Sequence, residues 1–340
     1  MGVGEGAMNR RGFLAGGSVA LVAAAAGNAR AETAFLTEVL KRGETSSMRV
    51  LRSGRVAFDY GDPSEVSYIA SVRKSLVAML YGPAVARGTI RLDRTLAQIG
   101  IDDLGGLSTV ERGATVGDLL MARSGVYHPA ANAGDASALA PPRGSVRPGE
   151  RFLYNNWDFN ALGAIYEAET GRNLYRAFGE DIAAPIGLED WRADLQQMRN
   201  DTGKSKYPAH HFGLSTRDMA RLGQLMLDRG RWRGHPVLTE RWVRASTALH
   251  TGAARVARES PFMPQLGYGY LWWVFDSAAG IQRDLRGAYT ASGAYGQFIT
   301  VVPRLALVIA HKTVVPPPRN VSPKAYLGEI LPAVLQVARG

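Results

Sequence analysis

The residues with the clearest chemical potential begin at Ser71. Ser71-Val72-Arg73-Lys74 places a hydroxyl and an amine three positions apart. If the segment is helical, that spacing brings both side chains to one face, within hydrogen-bond reach. The amine takes the hydroxyl's proton only when it is itself uncharged. The first turn of a helix carries partial positive charge and favours acids, yet two cations, Arg73 and Lys74, occupy it here. The ammonium form of Lys74 is thereby destabilised. The chemistry implied is nucleophilic attack by Ser71 with Lys74 handling its proton. A Ser-x-x-Lys also arises by chance, and a serine ahead of a helix commonly serves as an N-cap. The pair alone does not choose between these uses.

Rival constellations are poor. The 340 residues contain no cysteine, which removes disulfides, thiolate nucleophiles and Cys-ligated metals. A Gly-x-Ser-x-Gly elbow is absent from the sequence. His210-His211 lacks a third ligand at a recognisable spacing and any His-Glu-x-x-His, so these histidines are read as loop residues. Gly203-Lys204-Ser205 resembles part of a phosphate-binding loop, but Met198 stands where its first glycine belongs; a surface turn is expected. The reading requires neither metal nor cofactor.

The elements that must position Ser71 can be traced along the chain. Residues 34–41 have the pattern of a short amphipathic helix, and 48–52 and 55–60 are strand-like runs joined at Ser53-Gly54, a hairpin signal. From Ser71 to Arg87 the apolar spacing is helical, with a kink or break expected at Gly82-Pro83. Residues 115–250 are mostly helical patches between Gly/Pro-rich loops. The loop from Tyr127 to Glu150 is long enough to border a functional cleft. Strand patterns return at 268–274, 285–290, 297–302 and 305–311, and an amphipathic helix is expected over 324–338. Strands at both ends and helices between them predict an α+β fold. Its mostly antiparallel sheet, about 32–70 plus 266–340, would be flanked by terminal helices. A mostly helical subdomain over about 71–265 would be inserted, with a cleft where the two meet.

The first residues read as an address. Asn9-Arg10-Arg11-Gly12-Phe13-Leu14 is a twin-arginine pattern, an Ala/Gly-rich apolar run follows to Gly27, and Ala29-Arg30-Ala31 offers a small-x-small cleavage site. The run is shorter than the ~20 residues of a membrane-spanning helix. A signal over 1–31 is expected, hence a periplasmic or secreted protein with no stable membrane span after cleavage. The net charge is +10, of which residues 1–31 supply three arginines and one glutamate. The remaining arginines are scattered without a basic stripe interleaved with aromatics, which argues against nucleic acid as a partner.

Further residues change the weight of the Ser71–Lys74 pair. Asp118-Leu119-Leu120 with Ser124-Gly125, then Tyr154-Asn155-Asn156 within FLYNNWDFNALG, then Ala291-Ser292-Gly293-Ala294-Tyr295-Gly296-Gln297 between two strand runs follow Ser71 in order. With GLSTRDMARLGQLMLDRGRW (213–232) and GYGYLWWV (267–274), nearly the whole chain after residue 31 resembles the penicillin-recognising, class C β-lactamase-like serine hydrolases. The similarity is greatest to the branch of esterases and 6-aminohexanoate-dimer hydrolases. The resemblance implies an acyl-enzyme on Ser71, with Lys74 and the Tyr154 phenol passing the proton. Which of the two is the primary base stays open. It implies that Asn156 hydrogen-bonds Lys74 and the substrate, that the backbone N–H groups of Ser71 and Ala294 form an oxyanion hole, and that Ser292 and Gly293 contact substrate.

One departure bears on substrate. Ala291 stands where β-lactamases and transpeptidases carry the lysine or histidine facing a substrate carboxylate. Its absence removes a charge-assisted hydrogen bond of about 1.5–3 kcal/mol, though Ser292 still offers a neutral one. His311-Lys312-Thr313 mimics part of a Lys-Thr-Gly, but Val314 replaces the glycine, and this segment is set aside. The expected substrate is a small ester or amide. A β-lactamase or D-alanyl-D-alanine carboxypeptidase is the alternative, and a non-catalytic binder is disfavoured by the presence of Ser71, Lys74 and Tyr154. The sequence leaves the acyl group, the leaving group and the oligomeric state open.

Overall fold

A computed structural model describes residues 1–2, 30–132, 134–259, 263, 265–313 and 321–339. The twin-arginine pattern and its apolar run lie outside the described residues. The chain divides into two compact units, Glu44–Lys324 and a smaller one made of Met1–Gly43 with Ala325–Gly340. In the smaller unit residues 30–42 are helical. The expected C-terminal helix is also there, with a wide turn over Tyr326–Ile330 before Leu331–Val337. Pro332 has no N–H to give the carbonyl four residues back and needs room for its ring, which a wide turn provides.

The larger unit is built on a seven-stranded antiparallel sheet of β1 (Ser47–Arg52), β2 (Arg55–Gly61), β3 (Leu266–Tyr268), β4 (Trp273–Phe275), β5 (Tyr289–Gly293), β6 (Gln297–Val302) and β7 (Leu307–Lys312). Their order is β2-β1-β7-β6-β5-β4-β3. Strands from either side of the helical stretch meet at the β1–β7 pair, where Val50 faces Ile309. The Ser53-Gly54 hairpin forms as expected, with φ of 49° and 75°; two consecutive positive values match the twist of the flanking strands. β6 and β7 are buried at every residue, which explains their continuous apolar character.

The strand boundaries differ from the sequence pattern where the backbone must turn. Residues 268–274 form the ends of β3 and β4 rather than one strand. Gly269 passes the Ser246 carbonyl too closely for any side chain, and Leu271 takes φ 58°. Leu285 belongs to a short 3₁₀ turn, and β7 starts at Leu307 because Ala306 turns the chain with φ 47°.

Between β2 and β3 lie helices, loops and three two-stranded ladders: Ser67–Tyr68 with Gly213–Leu214, Gln197–Arg199 with Ala209–His211, and Arg231–Trp232 with His235–Pro236. Helix α1 (Val72–Ala86) is buried at every position from Val72 to Gly82. A helix enclosed on all sides shows no strong apolar stripe. It runs unbroken through Pro83, so of the kink or break expected there the break does not occur. Trp242 packs on Gly82, where a methyl group would lie 2.6 Å from the indole, and its Nε1 donates to the Ala78 carbonyl at 2.8 Å. Helix α2 (Asn156–Thr170) contacts α1, and helix α3 (Thr216–Leu227) lies on β1, β6 and β7.

Candidate active site

Ser71 sits at a sharp change of direction. Ala70, with φ 46°, turns the chain from the Ser67–Tyr68 ladder into α1. A non-glycine residue held there is a sign of imposed geometry. Ser71 occupies the N-cap position but makes no side-chain capping bond. The capping use of this serine, left open by the sequence, is therefore not the one its hydroxyl serves. Lys74 Nζ instead lies 2.7 Å from Ser71 Oγ and 2.9 Å from the Tyr154 hydroxyl. Lys74 is 2% exposed. Burial, reinforced by neighbouring Arg73, pushes its amine well below the usual lysine range. Burial raises the Tyr154 phenol to about 12, against the opposing pull of its Ser71 hydrogen bond and Arg73.

Tyr154 is held by the segment that precedes it in the cleft. Asn155 caps α2, its Oδ1 accepting from the Trp157 N–H at 2.7 Å. The Asn155 amide donates to the Val126 carbonyl at 2.9 Å, and the Leu153 N–H donates to the Ala122 carbonyl at 2.9 Å. Ser124 Oγ donates to Asp158 at 2.5 Å. The Asp118–Gly125 segment thus serves as a brace for the tyrosine. Asn156 departs from the expectation. Its Nδ2 donates to the Asn132 carbonyl at 2.5 Å rather than meeting Lys74. The first turn of α2 points it along the cavity wall toward the 127–150 loop.

The third region brings the end of β5 against the start of α1. A methyl group on Gly293 would lie 2.6 Å from the Ile69 carbonyl oxygen and 2.9 Å from the Ser71 nitrogen, so only glycine fits. Among the described residues, the N–H groups of Ser71 and Ala294 have no hydrogen-bond partner. The turn 294–296 is fastened from β7 and the residue after it: His311 Nδ1 donates to the Gly296 carbonyl at 2.7 Å, and Thr313 Oγ1 donates to the Tyr295 carbonyl. Lys312 is buried with Nζ on the carbonyls of Glu65 and Leu214. Ala291 is fully buried, while Ser292 lines the cavity.

These groups share a cavity of about 630 Å³, lined by Ser71, Lys74, Tyr154, Asn156, Ser292, Gly293 and Ala294 among others. The 127–150 loop borders it through Asn132, Gly134 and Ala136. Sequence reasoning missed His211, which is a strand residue rather than a loop residue and also lines the cavity. Its ring stacks on Tyr68 with centroids 4.6 Å apart. Burial, with Arg73 next in weight, lowers it to about 3, so the imidazole is neutral. Trp273, 5.2 Å from the Tyr154 ring, is a second residue missed. His211 carries no local motif, and Ala209-His210-His211-Phe212 shows no alternation; Trp273 lies in the segment 267–274, where nothing local marks which side chain faces the cavity. Of the two segments set aside earlier, 203–205 ends on Ser205, whose buried hydroxyl donates to Asp103 at 2.5 Å.

A family model described as Beta-lactamase matches residues 35–327. The chain belongs to the β-lactamase family. It is a serine hydrolase with that family's fold. Among solved structures it is similar to a protein from Bacillus anthracis assigned as a 6-aminohexanoate-dimer hydrolase, with 20% identity, 89% of this chain and 81% of that one covered, and a TM-score of 0.66. EstCE1, a hydrolase with promiscuous acyltransferase activity, is similar at 16% identity over 93% of this chain and 98% of its own, with a TM-score of 0.62. An octameric penicillin-binding protein homologue from Pyrococcus abyssi is similar at 17% identity over 88% and 76%, with a TM-score of 0.62. At these identities the likeness speaks to the fold. No curated protein matches the sequence.

Proposed function

We propose that this β-lactamase-family enzyme hydrolyses a small ester or amide through an acyl-enzyme on Ser71. The observation that carries the reading is the three-way contact of the Ser71 hydroxyl, the Lys74 amine and the Tyr154 phenol at the floor of one cavity. Lys74, favoured as the free amine, accepts the Ser71 proton as Oγ attacks the carbonyl carbon. The Tyr154 hydroxyl, bonded to the same nitrogen, relays a proton to the departing alkoxide or amine, and the two groups act as one coupled unit. The developing oxyanion is met by the N–H groups of Ser71 and Ala294, each worth about 3 kcal/mol or more. Water then repeats the sequence on the acyl-enzyme, and no metal or cofactor takes part.

The substrate assignment rests on β5. With alanine at 291 and a neutral hydroxyl at 292, the wall offers no cation to a substrate carboxylate, which favours uncharged esters and amides. The decisive experiment is hydrolysis of a p-nitrophenyl ester by wild type and Ser71→Ala. A loss of at least about a thousandfold is expected, and equal rates would sink the acyl-enzyme. Ser292 on the cavity wall keeps a second reading, a β-lactamase or D-alanyl-D-alanine carboxypeptidase. A fluorescent penicillin separates them: stable labelling indicates the peptidase, rapid turnover the β-lactamase, and no reaction the esterase or amidase. We further propose export, on the strength of the twin-arginine pattern alone; N-terminal sequencing of periplasmic protein should begin near Glu32.

A further inference from the structure

Among the described residues, Arg73 is a buried cation without a counter-ion. It is 2% exposed, and its guanidinium holds one amide oxygen, Asn160 Oδ1, at 3.2 Å. The Asn160 amide is itself fixed, because its Nδ2 donates to the Ala131 carbonyl at 2.9 Å. Arginines elsewhere in the fold are treated differently. Arg49, Arg94, Arg143, Arg172 and Arg217 each grip a carboxylate, although all are more exposed than Arg73. Burying an unpaired charge is costly, so its retention beside Lys74 calls for a reason.

Among the described residues, the groups around the two cations offer no negative charge. Arg73 is faced by Tyr68 from the short ladder, Tyr154 from the cavity floor and Tyr175 from the Leu174–Phe178 helix, with His211 nearby on the strand Ala209–His211. Lys74 is faced by Ser71, Tyr154 and the ring of Phe159. The tyrosines are raised by burial and His211 is neutral. The carboxyl nearest along α2, Asp158, is engaged by Ser124 and Asn155, and burial favours its protonated form. Arg199, exposed near His211, adds a further cation. Of two adjacent cations in such a place one must yield its proton, and a guanidinium does not. The burden falls on Lys74.

We propose that Arg73 is a positioning residue for the hydrolytic reaction, supplying the fixed, uncompensated positive charge that keeps Lys74 a free amine able to take the Ser71 proton. The inference rests on the roles proposed above for Ser71 and Lys74. It adds that the second variable position of the Ser-x-x-Lys is occupied for an electrostatic purpose, and that the Asn160 amide, being neutral, preserves that charge where a carboxylate would cancel it.

The test is the pH dependence of Ser71 phosphonylation by a fluorophosphonate probe, followed by intact-protein mass spectrometry. Wild type is compared with Arg73→Met, Arg73→Lys and Asn160→Asp, each checked for folding by its melting temperature. Labelling rises with pH as Lys74 loses its proton, so the acid limb reports that amine. Removing the charge (Arg73→Met) or neutralising it in place (Asn160→Asp) should move the acid limb about one pH unit upward, slowing labelling about tenfold on the limb with recovery at higher pH. Arg73→Lys, whose amine can itself give up its proton in this buried place, should move the limb upward by a smaller amount. A purely structural role would lower rates without moving the limb. Should Arg73→Met fail to fold, Asn160→Asp decides, because it retains the guanidinium. Limbs that superimpose on wild type for the folded variants overturn the proposal while leaving the Ser71 reading intact. A wild type unlabelled at Ser71 at every pH overturns both.

Discussion

Lys74 and Tyr154 share one proton network, and their surroundings push them in opposite directions. Burial disfavours the charged form of each, so the amine loses its proton readily while the phenol keeps its own up to about 12. In the proposed mechanism the neutral–neutral pair is the form that accepts from Ser71 and donates to a leaving group. The plot of kcat/KM against pH should therefore show an acid limb centred well below the ordinary lysine range of about 10.4, and no alkaline limb from Tyr154 below about pH 11. Tyr154→Phe should lower kcat by about 10²–10⁴ with little change in melting temperature, since the hydroxyl bonds within the site rather than to the scaffold. A stopped assay across pH on both proteins checks the two statements together. At this scale the sequence was informative: Ser71, Lys74 and Tyr154 were recognisable, and their contacts follow from a helical i, i+3 spacing plus one distant phenol. Asn156 was not, because whether its amide turns to Lys74 or to Asn132 depends on the path of the 127–150 loop, which composition does not fix.

Two elements meet at Ser71, the end of β5 and the first turn of α1, and glycine sets their separation. Gly293→Ala would drive a methyl group into the Ile69 carbonyl and the Ser71 and Val72 nitrogens. These are backbone atoms, so strand and helix must part by some tenths of an ångström or more. The expected result is a loss of stability of about 1–3 kcal/mol and a fall in kcat of about a hundredfold, because misplacing the proposed oxyanion donors would cost catalysis steeply. Urea unfolding read beside ester hydrolysis separates the two effects, and a variant as active as wild type would argue that this edge does not shape the site. Element types were largely legible in the sequence, whereas boundaries failed wherever close packing forced a turn. Residues 268–274 read as one strand because they are rich in aromatic and branched side chains, but the Ser246 backbone opposite Gly269 required two.

Over the larger unit, the site rests on a central sheet whose strands β6 and β7 are buried at every residue. His311 on β7 joins the sheet to the turn 294–296: it donates to the Gly296 carbonyl and its Nε2 accepts from the Thr45 hydroxyl at 2.8 Å. Burial lowers this imidazole from 6.5 to about 4. Between those values the unfolded chain binds a proton that the folded protein refuses, so the stability present above about pH 6.5 is lost as pH falls toward 4. Asp158, raised by burial, has the opposite slope, so the histidine is best read by difference. His311→Asn should cost about 2–3 kcal/mol more at about pH 7.5 than at about pH 4.5. Chemical denaturation of both proteins at the two pH values gives that difference directly, and a cost independent of pH would exclude a buried neutral imidazole.

Ordered motifs along one chain were enough to indicate the family, the antiparallel sheet drawn from both sides of a helical middle, and a candidate trio, Ser71, Lys74 and Tyr154, whose side chains meet. Such features are written in residue type, spacing and periodicity, all of which are local or sequential. Only the tertiary structure decided that His211 and Trp273 wall the cavity, that Asn156 anchors a loop, that α1 survives Pro83 and that Arg73 is sealed in without an acid. Each of these depends on what a distant segment brings to the same point, and burial, which fixes charge states and the room for a side chain, is a property of that meeting rather than of any one stretch of chain.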